Sequence, residues 1–341
     1  MRLKQVLQAT VLLCGLAVGI APDEGHADCD APATLDDAQL MDLRARAASV
    51  PYHSGLLWQV EKDGVTSYVF GTMHLYTPRH GRSLERLKPL IEEVEQVFVE
   101  FDKADMSAFE RRLTSDATLI TITDGPSLLD RLGPVAWERL KTALEPYQIP
   151  GFMAAKMQPW FLGFTMMMPR CAIDDLQAGR VGIDKMIEET ADAADKPVSS
   201  LDREQDMLDR LAGDPLDQQV DDMRWSLMLD LPTAYGMGGL SDFYFGEEIQ
   251  LIWENAQVEL DRISVGLSDQ DAARLRGLFD EMMGDLIAGR NHLWAPTLID
   301  GLTVRPSLVA VGAMHLPGEE GVLRLLEEAG FTITALSMSQ P

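Results

Sequence analysis

The chain has 341 residues, 46% apolar and 24% charged, enough for a sizeable core and unlike a disordered or fibrous composition. Its 54 acidic against 29 basic residues give a formal charge of −25, which repels nucleic acid and anionic lipid surfaces, so neither is an expected partner. Most of these carboxylates belong on solvated helix faces and mark no site by themselves.

The N-terminus reads as an export signal. Arg2 and Lys4 precede the apolar stretch Val11–Ala21, and Gly25-His26-Ala27 offers a small-x-small cleavage site. The expected mature chain begins at Asp28, in the periplasm or outside the cell. The apolar run is short for a membrane span, and so is Phe161–Met168, which Pro169 and Arg170 end. Removal of residues 1–27 takes Cys14 and leaves Cys29 and Cys171, a pair that an oxidising compartment favours as a disulfide.

The spacing predicts an amphipathic helix over Leu35–Ser49, then strands over Leu57–Glu61 and Thr66–Gly71 with Lys62-Asp63-Gly64 as the turn. A helix over Ser83–Glu95 leads into a strand over Gln96–Glu100. The middle of the chain is helical: Pro134–Leu144, Gly151–Met157, Pro159–Cys171 and Gly182–Ala194, then a short strand at Lys196–Leu201. Helices follow over Arg203–Leu211, Gln218–Leu229, Asp242–Leu260, Ser268–Leu286 and Arg290–Leu302. The C-terminus returns to alternation, with a strand at Ser307–Gly312, a helix at Glu320–Ala329 and a last strand at Thr332–Ser337.

Two segments are alike. Tyr68-Val69-Phe70-Gly71-Thr72-Met73-His74 and Val309-Ala310-Val311-Gly312-Ala313-Met314-His315 each deliver Gly-x-Met-His from an apolar strand into a loop, with a helix and a strand after it. The pattern predicts a diverged duplication: half-repeats at about 55–102 and 306–338 sharing a sheet, a helical insert at about 103–305, and one α+β (α/β-like) domain over 28–341. Of the six histidines, only His74 and His315 recur in a shared context, each where an open sheet places its sites. Their imidazoles can bind a metal or move a proton near neutral pH. Glu100 ends the strand Gln96–Glu100, which is expected beside Thr66–Gly71 through a strand–helix–strand connection. Two imidazoles and a carboxylate can hold a hydrolytic metal with water, or Glu100 can polarise water without one. The Met166-Met167-Met168 run points its side chains in different directions and reads as packing. No phosphate loop, His-Glu-x-x-His helix or Gly-x-Ser-x-Gly elbow is present.

Gly71-Thr72-Met73-His74, Glu100, Gly182-Ile183-Asp184, Arg290-Asn291 and Val311-Gly312-Ala313-Met314-His315-Leu316-Pro317-Gly318-Glu319 together resemble the motif series of the TraB/GumN family and its Tiki relatives. The resemblance extends over nearly all the mature chain, including Leu57-Trp58 and the Pro159-Trp160 helix. It implies a hydrolase that resembles metal-dependent peptidases, with a divalent ion (Mn, Co or Zn) and a peptide or protein substrate. His74, Glu100 and His315 are the implied catalytic and metal-holding core, with Gly71 and Gly312 in their turns. The resemblance adds Arg290 as a carboxylate or oxyanion binder, with Asn291 beside it, and Asp184 as an orienter of histidine or a helix cap. Asp202 stands where relatives commonly carry Glu, which weakens a direct role for it. Related folds include erythromycin esterases and a haem-binding lipoprotein, so haem or metal capture without turnover is an alternative. An accessory role in polysaccharide export with a degenerate site is another.

Overall fold

The computed structural model describes residues 35–229 and 239–339. The expected signal segment and Cys29 lie outside the described residues, so the Cys29–Cys171 disulfide stands as a proposal. The described chain forms two compact units.

The first unit takes in 104–180 and 204–229 and is built of helices. Its core gathers Trp137, Leu140, Leu144, Phe161, Leu162 and Leu227. Helix Pro134–Leu144 has the bounds the sequence predicts, with Gly133 before it at φ 78° and Pro134 fixing its first turn. The expected helix Pro159–Cys171 is two, Pro159–Met167 and Arg170–Gln177, because Pro169 has no N–H for the ladder and forces the residue before it out of helical geometry.

The second unit holds the sheet and takes in the described residues up to Lys103, then 181–203 and 239–339. Its strands are β1 (Leu57–Lys62), β2 (Val65–Thr72), β3 (Gln96–Val99), β4 (Val198–Ser200), β5 (Ser307–Gly312) and β6 (Thr332–Leu336), in the order β4-β3-β5-β2-β1-β6. Its helices are α1 (Asp37–Ala47), α2 (His80–Glu93), α3 (Ile183–Ala193), α4 (Leu240–Phe245), α5 (Ile249–Ser264), α6 (Asp269–Met283), α7 (Gly289–Val304) and α8 (Val322–Glu328). β1 and β2 form the predicted hairpin. Asp63 and Gly64 both take positive φ, 52° and 81°, as a tight two-residue turn demands.

Alternation along the strands builds a core on each face of the sheet. Tyr68, Phe70, Val97, Val99, Leu308 and Ala310 share one cluster with Ile91 of α2 and Ile183 and Ile187 of α3. Val69, Phe98, Val309 and Val311 share the other with Trp294 and Leu298 of α7 and Leu323 of α8. Helices therefore cover both faces of a mixed α/β sheet.

The two like segments meet at the centre of the sheet. β2 and β5 are parallel neighbours, with Gly71 opposite Val311 and Thr72 opposite Gly312. One expectation is corrected here: β3 does not lie beside β2. It pairs with β5, which stands between them. β5 is buried from Ser307 to Val311 and apolar from Leu308 on, and such a strand needs a hydrogen-bonded neighbour on each edge. The α2 crossover has 14 residues and simply steps over one more strand.

Candidate functional site

The carboxyl ends of β2, β3 and β5 lie side by side, and each delivers one functional group. β2 runs through Gly71 into His74, β3 runs into Glu100, and β5 runs through Gly312 into a single 3-10 turn, Ala313–His315. The glycines make this approach possible. A Cβ on Gly71 would sit 2.9 Å from the Ala313 backbone, and one on Gly312 would sit 3.0 Å from Glu100 Oε1. Gly182, just before α3, backs directly onto the His74 carbonyl, and a side chain there would collide with it.

Glu100 is the centre of the cluster. Its Oε1 accepts the Gly312 N–H at 2.5 Å and lies 3.9 Å from His74 Nε2 and 3.8 Å from His315 Nε2. Its Oε2 accepts from Arg290 Nη2 at 2.5 Å. Burial disfavours the charged carboxylate. The neighbouring imidazoles, the Arg290 guanidinium and the Gly312 N–H overcome that and hold Glu100 down at about 2.

The two histidines are set apart by their surroundings. His315 is 2% exposed. Its Nδ1–H donates to Asn291 Oδ1 at 2.7 Å, which leaves Nε2 as the acceptor of an Arg290 N–H at 3.3 Å. Burial and the adjacent guanidinium outweigh the pull of Glu100 and hold His315 down at about 3, so it is neutral at ordinary pH. A neutral His315 exerts no charge on Glu100, so near neutrality the carboxylate is held by His74, Arg290 and Gly312. His74 keeps 60% of its side chain in solvent. Its Nδ1 lies 3.3 Å from Asp184 Oδ1, the carboxylate at the start of α3. Desolvation pulls His74 down, but Asp184 and Glu100 raise it to about 9. Solvent at the exposed ring moderates both influences.

Arg290 organises the floor. All five of its N–H groups are engaged: Nε and Nη2 on Asp202 Oδ2 at 3.0 and 2.6 Å, Nη2 also on Glu100, and Nη1 on the Leu286 carbonyl and His315 Nε2. The guanidinium lies over the Trp294 ring, one turn on in α7, and Trp294 Nε1 donates to Asp202 Oδ1 at 3.0 Å. Asp202 thus has both oxygens satisfied at 4% exposure, and its backbone N–H donates to the Glu100 carbonyl at 3.0 Å. Its role here is to seat Arg290. The Leu286 carbonyl comes from a π-turn, Gly284–Ala288, that joins α6 to α7 where the sequence predicts two separate helices.

Asn291 spans the same floor. Besides accepting from His315, its Nδ2 donates to the carbonyls of Glu320 at 2.8 Å and His315 at 3.3 Å. Two residues of this neighbourhood lie outside the sequence reading. Trp294 had a usable signal, because i,i+4 spacing puts it on the Arg290 face. Tyr244, whose hydroxyl donates to the Gly71 carbonyl at 2.7 Å, carries no such signal.

In type, the donors suit a divalent ion: each histidine has Nδ1 beside a side-chain oxygen, and a carboxylate stands between the two Nε2 atoms. In arrangement they do not fit one. Arg290 occupies the lone pair of His315 Nε2, and the nitrogen–oxygen separations of 3.9 and 3.8 Å exceed the roughly 3.4 Å between donors about 2.1 Å from one tetrahedral ion. No group of three His, Cys, Asp or Glu among the described residues has metal-holding geometry.

No curated protein and no solved structure matches the chain. The profile of the TraB/PrgY/gumN family matches residues 56–335, a span that contains β1 to β5, all of β6 but Leu336, and every residue of the cluster around Glu100. The chain belongs to the TraB/PrgY/gumN family.

Proposed function

We propose that this protein is an exported hydrolase that cleaves peptide bonds with His74 and Glu100 as its acid–base pair. The observation that supports this most directly is the approach of His74 Nε2 to Glu100 Oε1, 3.9 Å, in a cluster where His74 is shifted up and Glu100 down. A gap of that width suits a water or a substrate oxygen between the two groups. The peptide class comes from the resemblance to the Tiki branch.

In the proposed reaction, a water held by Glu100 Oε1 attacks the amide carbon. The water oxygen–carbon bond forms and its proton passes to Glu100. The carbon–nitrogen bond breaks as the His74 imidazolium gives its Nε2 proton to the leaving nitrogen. Transfer of the proton from Glu100 to His74 restores the resting state. Asp184 positions His74 and supports its positive charge. Arg290 and Gly312 position Glu100, while Asn291 holds His315 neutral against Arg290. Thr72 Oγ1, at the strand end opposite Gly312, is buried without a hydrogen-bond partner among the described residues. No step is routed through a metal, because the donors are not spaced for one. Haem capture is less well supported, since His315 Nε2 is already taken by Arg290.

The test is cleavage of a peptide library by the wild type, Glu100→Gln and His74→Ala. We expect both variants to lose about 100-fold or more, as removal of an acid–base group does. Equal turnover in all three removes the assignment.

A further inference from the structure

A cavity of about 640 Å³ opens at the same end of the sheet, on the side of β1 and β6. Its walls include Arg44 and Ala47 of α1, His53 to Gly55 before β1, Gly246 to Glu248 between α4 and α5, and Ala335 to Ser337 at the end of β6. The registers fix its relation to the catalytic cluster. Leu57 pairs with both Phe70 and Leu336, so the segment before β1 and the end of β6 lie at the rim where β2 delivers Gly71. A hydrogen bond also ties the wall to the site, because the hydroxyl of Tyr244, two residues before Gly246, donates to the Gly71 carbonyl. The Gly55 N–H donates to the Glu247 carbonyl at 2.7 Å.

The charges of this cavity do not cancel. Arg44 is matched by Glu248 through two hydrogen bonds of 2.7 and 2.8 Å. Glu247 lines the cavity half-buried, and its carboxylate has no protein partner among the described residues. The His53 Nδ1–H donates to the Val50 carbonyl at 3.2 Å, which leaves Nε2 for a ligand. Ala47, Leu251 and Leu336 supply apolar wall beside these groups. One uncompensated carboxylate beside an apolar wall suits a side chain with an aliphatic stem and a cationic head.

We infer that this cavity is a subsite for a basic side chain, lysine or arginine, of an extended peptide substrate, with Glu247 as its counter-ion. The inference rests on the peptide-hydrolase reading for the position of that side chain. From β6 to β2 and β5 is two to three strand spacings, roughly 10–15 Å, or about three to four residues of extended chain. The basic residue therefore lies three or four positions from the bond that is cut.

The test is calorimetric titration of the full chain with acetyl-Ala-Ala-Lys-Ala-Ala-amide and with its norleucine counterpart. The wild type binds the lysine peptide about tenfold tighter, as a hydrogen-bonded charge at a partly buried site allows. Glu247→Gln loses that preference, and Glu247→Lys reverses it toward a third peptide with glutamate in place of the lysine, both with wild-type circular dichroism. Equal affinities in the wild type, no binding of any peptide, or an undiminished preference in Glu247→Gln overturns the subsite. Cleavage is scored separately with peptides carrying lysine at each position from two to five residues away. Binding preference without cleavage removes the hydrolase reading and leaves the subsite. Cleavage indifferent to lysine removes the subsite and leaves the hydrolase.

Discussion

Arg290 holds two nearly buried carboxylates, with side chains of Glu100 and Asp202 exposed by 12% and 3%. Replacing it by methionine keeps the stem and abandons both charges in the interior. We expect Arg290→Met to lose about 3–5 kcal/mol in urea unfolding, with Arg290→Lys recovering only part because an ammonium cannot span Glu100, Asp202 and His315 together. His74 makes a different kind of contribution. Its folded value is about 9 against an ordinary 6.5, so it binds its proton more tightly when folded. That stabilisation is complete below about pH 6.5 and is lost as pH rises through 9. Glu100 has the opposite sign: its stabilisation is present above its ordinary 4.5 and is lost as pH falls toward 2. Urea midpoints between pH 6 and 10 should therefore decline in the wild type and stay flatter in His74→Gln. Parallel curves would show that His74 carries no such shift.

At the scale of elements, the same residue type has opposite consequences in two helical neighbourhoods. Gly81 lies in the first turn of α2, and a Cβ there meets nothing within 4 Å. Gly81→Ala should stabilise by about 0.5–1 kcal/mol through helix propensity. Gly182 caps α3 against the His74 loop, where the Ile183 N–H donates to the Met73 carbonyl at 3.3 Å. Gly182→Ala should cost about 1–3 kcal/mol and displace His74, so its unfolding midpoint and its turnover fall together. The elements themselves were largely legible. The β1–β2 hairpin, helix Pro134–Leu144 and strand β5 follow from turn residues, a helix-entry proline and an apolar run. Helix Lys103–Ser115 was not, because its apolar stripe is thin and only Leu113 is buried. The break between α4 and α5 is hard to read because the positive φ of 59° falls on Glu247 and not on the adjacent Gly246, which is tolerated inside a helical pattern.

For the whole molecule, the relation between the two Gly-x-Met-His segments matters most. β2 and β5 lie together in parallel, so two Gly-x-Met-His turns separated by more than two hundred residues of chain open on one carboxylate. The site therefore depends on an intact sheet rather than on either half alone. Because Arg290 occupies the His315 lone pair, dialysis against EDTA should leave peptide cleavage within about twofold of its starting value. Loss of activity on EDTA treatment, with recovery on adding Mn or Zn, would show that Arg290 yields to an ion and would overturn the metal-free mechanism. Among the described residues no helix is long and apolar enough to cross a membrane.

The sequence by itself marked two like Gly-x-Met-His segments, singled out His74, Glu100 and His315, and placed the strand ends that carry them, because turn chemistry and apolar periodicity are local properties. It also singled out Arg290, Asn291, Asp184 and Asp202 through the family resemblance. Only the tertiary structure decided how these residues are arranged and what each one touches. Strand order placed β5 between β2 and β3 because a fully buried strand must pair on both edges. Burial separated one neutral imidazole from one that holds its proton, and the guanidinium fork turned Arg290 inward to Glu100 and Asp202. Such environments are sums over residues far apart in the chain, and no local pattern encodes them.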